Sequence, residues 1–274
     1  RNGESIEVKF DEITDKIKFL SSENVWGQNL NIDAILLAKE VITTIYDGIT
    51  TSELDEFTAS IAASMSLRNS DYEILAGRLI IHNHMKNTFI KFTDIVKNLK
   101  SIISNNIFNL CEEYENEINS IIVPERDYLI SYFGFSTLKK SYLLKNTNNN
   151  VIERPQHLYL RVSLGIHGNN FSKVKETYNA LSLNYFTHAT PTLFNAGTKY
   201  PQLSSCFLIG TEDSVEGIFK TVSDVAMISK WAGGIGCHIS NVRANDSIIS
   251  KTNGKTQGVM PMLKVYNDVA RYIN

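Results

Sequence analysis

The stretches Cys206-Phe-Leu-Ile209, Ser214 to Lys230 and Gly236-Cys-His-Ile239 decide the fold class of the C-terminal part of this chain. Short apolar runs bounded by turn residues read as strands, and the longer segment between them as a helix. Strand, helix and strand in that order predict a parallel α/β unit, since a parallel pair needs a long crossover connection. Just upstream, Thr187-His-Ala-Thr-Pro-Thr-Leu-Phe-Asn-Ala-Gly197 combines hydroxyls, an amide and a forced turn. It leads through Pro201-Gln-Leu to Ser204-Ser-Cys206, and reads as a polar loop entering a strand. Cys206 beside two serines at the mouth of a strand fits a redox thiol or a nucleophile; it also fits a small apolar core residue.

The cluster Ala232-Gly-Gly-Ile-Gly236 permits either close backbone approach to a ligand or a tight turn between helix and strand. It lacks the fuller G-x-G-x-x-G spacing of a phosphate loop. Arg243 stands before the polar loop Ala244 to Ser250. Such an arginine can fork onto phosphate, pair with a surface carboxylate or stay solvated. Downstream, Met262 to Tyr266 and Tyr272 continue an apolar, aromatic pattern to Asn274, which predicts a fragment of a larger protein.

Upstream the text is helical. Leu37, Ala38, Val41 and Ile45 recur three to four apart, predicting a helix from Asp33 to Tyr46 that stops before Gly48. Thr50 with Glu53 has capping-box spacing and predicts a second helix over Ser52–Ser66. Asp71 opens a third, with Ile74, Leu75, Arg78, Ile81 and Met85 on one face. The alternation Ile6-Glu-Val-Lys-Phe10 predicts a strand or hairpin at the entrance of this module, followed by a helical start around Asp11. Residues 91–150 carry further helical patterns and end in Asn146-Thr-Asn-Asn-Asn150, a turn or exposed loop. Beyond Pro155, helices are predicted over Leu158–Ile166 and Phe171–Tyr185.

The composition is that of a globular chain, with 43% hydrophobic residues, 20% charged residues and a formal charge of -2. No basic field exists to gather a nucleic-acid backbone, and no run nears the roughly 20 apolar residues that cross a bilayer. Neither nucleic acid nor membrane is an expected partner. Cys111, Cys206 and Cys237, odd in number and widely spaced, exclude a secreted disulfide scaffold and point to a reducing compartment. Without a C-x-x-C pair, no metal site is expected. In the N-terminal module Arg1, Lys9, Thr51, Asp55 and Lys86 come from separate elements; they can converge on phosphates and a ribose or adenine, or remain surface charges.

Taken together, Thr187 to Gly197, Pro201 to Leu208, Ile228 to Gly236 and Gly258 to Tyr272 resemble the large subunit of class I ribonucleotide reductases. Asp71-Tyr-Glu-Ile-Leu-Ala-Gly-Arg78, Tyr132-Phe-Gly-Phe135 and Glu153-Arg-Pro-Gln-His157 extend the resemblance through the middle. The resemblance implies a mainly α N-terminal half, made of an ATP cone (1–90) and a helical domain (91–210). The start of a truncated ten-stranded α/β barrel (211–274) follows.

The implied activity is radical-based reduction of ribonucleoside diphosphates at the 2′ carbon. Cys206 would supply one of two electrons and become half of a disulfide, and Thr190, Ser205 and Gly234 would contact the substrate; Thr190 departs from the family's serine but keeps the hydroxyl. Asp213, Ser214, Val215, Lys230, Arg243, Ser250 and Lys251 would form a specificity site for deoxynucleoside triphosphates at a dimer interface. Arg1, Ile6, Glu7, Val8, Lys9, Phe10, Asp11, Glu12, Thr51, Asp55 and Lys86 would hold ATP or dATP as an activity switch. Implied partners are a second large subunit, a small radical-generating subunit carrying the metal cofactor, and thioredoxin or glutaredoxin. The radical cysteine with its neighbouring Asn and Glu, the partner of Cys206, the tyrosine pair and the tail cysteines are not among these residues, so the chain alone is expected to be inactive. The abundance of Asn, Ile and Lys suggests an AT-rich genome, and the place of action is the cytoplasm, including that of a host cell. The alternative is a non-catalytic ATP/dATP-binding regulatory module, in which the Ser204-Ser-Cys206 segment has no purpose; a purely structural helical adaptor fits less well still.

Overall fold

The computed structural model describes residues 3, 5–231, 233–250 and 252–273, and the chain divides into two compact units. The first comprises residues 1–187 with 197–199, the second residues 188–196 with 200–274.

The first unit opens with α1 (Phe10–Ser21), α2 (Glu23–Trp26), α3 (Ala34–Thr44), α4 (Thr51–Ser64) and α5 (Asp71–Lys86). α1 packs on α3 and α5, and α4 lies along α5. Ile13, Ile17 and Leu20 of α1, Leu37 and Val41 of α3 and Leu75 and Leu79 of α5 form the core. Ala59 and Ala62 supply the small, buried face of α4. Starts are fixed locally: Asp33 accepts from the Leu36 amide at 2.9 Å, and Thr50 and Glu53 complete a capping box. The third predicted helix is α5. Its Arg78 is buried, and donates to the carbonyls of Leu20 at 2.9 Å and Gln28 at 3.2 Å, joining the end of α1 to the segment after it. Gly77 is required by close packing, since a Cβ there would lie 2.8 Å from the Ile130 carbonyl oxygen.

The predicted strand or hairpin at Ile6–Phe10 is absent. Residues 5–9 form no strand, Ile6, Val8 and Phe10 are all exposed, and Phe10 already opens α1. A two-residue alternation forms a strand only with a ladder partner, and the described residues give it none; Asp11 and Glu12 instead favour a helix start.

The remainder of the first unit holds α6 (Phe92–Asn98), α7 (Asn105–Glu113), α8 (Glu115–Ile121), α9 (Tyr132–Ser141), α10 (Pro155–His167) and α11 (Phe171–Ser182). Asn146–Asn150 is the turn of a small hairpin, closed by a bridge between Lys145 and Val151. α10, with Pro155 at its first turn, is buried from Pro155 to Leu164 and carries most of this region's polar interior. Arg161 and Glu153 form a fully buried ion pair at 2.7 Å. Arg154 donates to the Met85 carbonyl at 2.8 Å and to the Thr88 carbonyl at 2.9 Å, clasping the end of α5. Burial pushes the imidazoles of His84 down to about 4 and His157 down to about 3, and the Asp127 carboxyl up to about 7. The word Glu153-Arg-Pro-Gln-His157 is thus a structural hub.

The second unit begins with α12 (Thr190–Asn195), where the sequence reads as a loop. Pro191 is compatible with a first helical turn, and the helix is short. Then come β1 (Cys206–Gly210), α13 (Val215–Ser229) and β2 (Gly234–His238), with the strands parallel and Cys206 opposite Gly234, as the strand-helix-strand pattern predicts. Gly233 makes the tight return from helix to strand, where a Cβ would lie 2.7 Å from Ile228 Cγ2. α14 (Val259–Ile273) packs on α13, anchored by buried Tyr266, whose hydroxyl donates to the Ile218 carbonyl at 3.2 Å. Phe207, Ile209, Ile235 and Cys237 are half-buried, whereas Cys206, Leu208, Gly234 and Gly236 are exposed on alternate positions. Among the described residues, no helix is long and apolar enough to cross a membrane.

Candidate functional site

A cleft of about 1080 Å³ lies in the first unit, between the segment before α1, the turn at residues 45–52 and the end of α5. Of the predicted cone residues, Ile6, Glu7, Val8, Lys9, Glu12, Thr51, Asp55 and Lys86 line it. Phe10 and Asp11 do not line it, and Arg1 lies outside the described residues. The capping box presents Thr50 and Thr51 to the cleft by fixing the start of α4 there. On its floor, the buried carboxylate of Asp55 is paired with Lys16 and faces Lys86 Nζ at 3.8 Å. Lys9 and Glu12 pair at 3.6 Å on its rim, both exposed. Lys16 and Asn87, which also line the cleft, were not legible as site residues in the sequence. Lys16 sits beside the apolar stripe Ile13, Ile17 and Leu20, and its partner is 39 residues away, so only the fold reveals the pairing. A cleft that brings Lys9, Lys16 and Lys86 together with hydroxyls and the carboxylates of Glu7, Glu12, Asp47 and Asp55 offers cations for phosphates and acceptors for a ribose or base.

The second unit holds a smaller cavity of about 540 Å³, lined by Thr190, Pro191, Phe194, Asn195, Ser205, Lys230 and Trp231 together with Ala189. α12 is fixed there by two hydrogen bonds: Thr192 Oγ1 to the Leu203 carbonyl at 3.1 Å and Asn195 Nδ2 to the Gln202 carbonyl at 2.7 Å. These bring Thr190 to the same cavity as Ser205. Gly234 N donates to the Ser205 carbonyl at 2.7 Å, and the next residue, Cys206, opens β1 with an exposed thiol. Cys111 is different: it is buried, and desolvation pushes its thiol up to about 12.

A third group gathers at the other end of α13. Arg243 Nε donates to Asp213 at 2.7 Å, so this arginine pairs with a carboxylate. Ser214 caps α13 by accepting from the Gly217 amide at 3.0 Å, and Val215 is exposed. Ser250 is exposed in a loop closed by the bridge of Ile248 with Lys255; Lys251 lies outside the described residues. Lys230 does not join this group: it stands beyond the last residue of α13, a helix length of about 22 Å from Ser214. There it lines the cavity with Thr190 and Ser205. Among the described residues, no three His, Cys, Asp or Glu side chains are placed to hold a metal ion.

The arrangement of a helical half, a strand-helix-strand unit and a cysteine at the mouth of β1 has relatives. Residues 128–201 match the family model of the ribonucleotide reductase all-alpha domain, and residues 204–274 that of the ribonucleotide reductase barrel domain. The whole chain is 48% identical to the ribonucleoside-diphosphate reductase large subunit of Variola virus, spanning 37% of that protein. It is 46% identical to ribonucleoside-diphosphate reductase large chain 2 of Saccharomyces cerevisiae, spanning 32% of it, and 44% identical to the large subunit of Caenorhabditis elegans, spanning 36% of it. The chain belongs to the ribonucleotide reductase large-subunit family.

Proposed function

We propose that this chain contributes the regulatory cleft and one part of the active site to an enzyme that reduces ribonucleoside diphosphates to 2′-deoxyribonucleoside diphosphates. The observation that carries the reading is the convergence of Thr190 and Ser205 on one cavity, with Cys206 next in the chain and exposed, in a chain whose relatives bear that enzyme's name. In this reading Thr190, Ser205 and Gly234 hold the diphosphate substrate. The 2′-hydroxyl leaves as water while the Cys206 thiol and a second cysteine give up two electrons and become a disulfide, which thioredoxin or glutaredoxin reduces again. The pair must meet the narrow geometry of a disulfide. A metal-bearing small subunit supplies the radical that starts the reaction. Cys206→Ser in the full-length reductase should abolish multiple-turnover reduction; retained turnover would overturn the assignment.

Residues 1–90 act in this reading as an ATP cone, with ATP or dATP in the cleft around Asp55. The helical domain runs from 91 to about 200, and the barrel's opening takes in β1 from Cys206 rather than starting at 211. Asp213, Ser214, Val215, Arg243, Ser250 and Lys251 belong to a specificity site for deoxynucleoside triphosphates. The distance between Ser214 and Lys230 fits a site completed by the second copy of a homodimer rather than within one chain. Coupling between effector and substrate is reciprocal, so substrate must also change effector affinity. The place of action is the cytoplasm. A regulatory module without catalysis leaves the barrel-domain match over 204–274 unexplained.

A further inference from the structure

The cavity shared by Thr190 and Ser205 has a second character. Thr190, Asn195 and Ser205 make one part of its lining hydroxyl and amide, whereas Pro191, Phe194 and Trp231 make another part apolar and aromatic. A ribonucleoside diphosphate has the same two halves, an anionic end and a flat ring with a π-face. A small-molecule site uses a few polar groups for orientation and an apolar wall for the rest of the ligand.

Trp231 is held at that wall by its surroundings. It stands two residues past the end of α13, and its amide donates to the Ile228 carbonyl at 3.1 Å. The chain turns back directly behind it. The Gly233 amide donates to the same carbonyl at 3.2 Å, and a Cβ on Gly233 would lie 2.7 Å from Ile228 Cγ2 and 2.8 Å from Phe207 Cε2. The Tyr200 ring lies 5.9 Å from the indole ring, centroid to centroid, and the Lys230 ammonium stands 5.6 Å over it. With these contacts in place the tryptophan is still 38% exposed. A large aromatic side chain that is fixed but not covered, on the wall of a cavity, is suited to stack on a second ring. The backbone carbonyls at the end of α13 carry partial negative charge, which disfavours phosphate and suits the N–H groups of a nucleobase.

We infer that Trp231 is a substrate-contacting residue: its indole stacks on the base of the ribonucleoside diphosphate whose phosphates Thr190 and Ser205 hold. The inference rests on the substrate reading of this cavity given above. Every base offers a π-face, so the contact raises affinity for all such substrates alike and leaves the choice among them to other groups.

The test is made in the full-length reductase without its small subunit, by equilibrium dialysis of labelled CDP and GDP. Inorganic pyrophosphate serves as a competitor that has no base, and thermal melts check that each variant is folded. Trp231→Ala should raise the Kd about tenfold for both CDP and GDP, and should leave the inhibition constant of pyrophosphate within about twofold. Trp231→Phe, which keeps a π-face, should stay within about threefold of the unaltered enzyme. Thr190→Ala should instead weaken CDP and pyrophosphate together. If Trp231→Ala does not fold, Trp231→Leu, which keeps apolar bulk beside Tyr200 but has no ring, replaces it with the same expectation. Unchanged CDP binding in the folded Ala or Leu variant would overturn the inference. So would an equal loss for CDP and pyrophosphate, which would mean that the indole only supports the shape of the cavity. Binding of CDP and pyrophosphate that Thr190→Ala leaves unaltered would overturn the substrate reading of the cavity, and the inference with it.

Discussion

The helical cleft around Asp55 and the strand pair that begins at Cys206 are built to different rules. The cleft draws on α1, α4 and α5, which lie within 80 residues of one another and bury their apolar faces together. Its floor is closed by core residues such as Ile17, which is 0% exposed. The strand pair only half-buries alternate residues on one face, and Leu208 in the middle of β1 is 91% exposed. A site made by neighbouring helices can be complete within a short span. One made on a parallel sheet depends on what covers both faces and both edges.

The largest expected effect lies in the same helical unit as the cleft, at the polar hub around α10. Glu153→Gln leaves the Arg161 guanidinium buried without its carboxylate and should lower unfolding stability by about 3–5 kcal/mol, read by denaturant titration. A loss below about 1 kcal/mol would show that the hub is not what holds α10.

The same hub predicts opposite pH effects from two kinds of group. Folded His84 and His157 titrate well below their ordinary 6.5, so the folded chain declines protons that the unfolded chain accepts. Their contribution is full above 6.5 and is lost as pH falls toward about 4. Folded Asp127 holds its proton up to about 7 against an ordinary 3.8, so its contribution falls as pH rises through that window. Asp127→Asn should therefore gain melting temperature relative to the unaltered chain on going from pH 5 to pH 8, by several degrees. A constant difference across that range would contradict the burial-driven shift.

The smallest effect should be found on the strand pair. Leu208→Ala should change the stability of the chain by less than about 0.5 kcal/mol, whereas Ile17→Ala in the cleft's floor should cost about 2–5 kcal/mol. Comparable losses would mean that the exposed face of β1 is covered in solution, and would erase the contrast between the regions.

Much of this was legible in the sequence where the signal is local. Asp33 and the Thr50-Glu53 pair mark helix starts by the hydrogen bonds their side chains make, and the strand-helix-strand order implied parallel pairing. The five-residue alternation at Ile6–Phe10 misled, because a strand is defined by its partner and the first-turn acids of α1 were the stronger cue. α12 was hidden by its shortness and by Pro191, which punctuates loops but also opens helices. The site words around Thr190, Ser205 and Cys206 were visible as words; the convergence of Thr190 and Ser205 on one cavity depends on hydrogen bonds from α12 to residues 202 and 203. The pairing of Lys16 with Asp55 is tertiary and left no trace in spacing.

In the proposed reading the cleft around Asp55 binds ATP or dATP independently of the chemistry at Cys206. Calorimetric titration of the 274-residue chain with ATP and dATP tests it most directly, with Asp55→Asn and Cys206→Ser as comparators. Saturable binding at one site, weakened or made indifferent between the two nucleotides by Asp55→Asn and unaltered by Cys206→Ser, is the predicted result. No saturable binding, or binding that Asp55→Asn leaves unchanged, would contradict it.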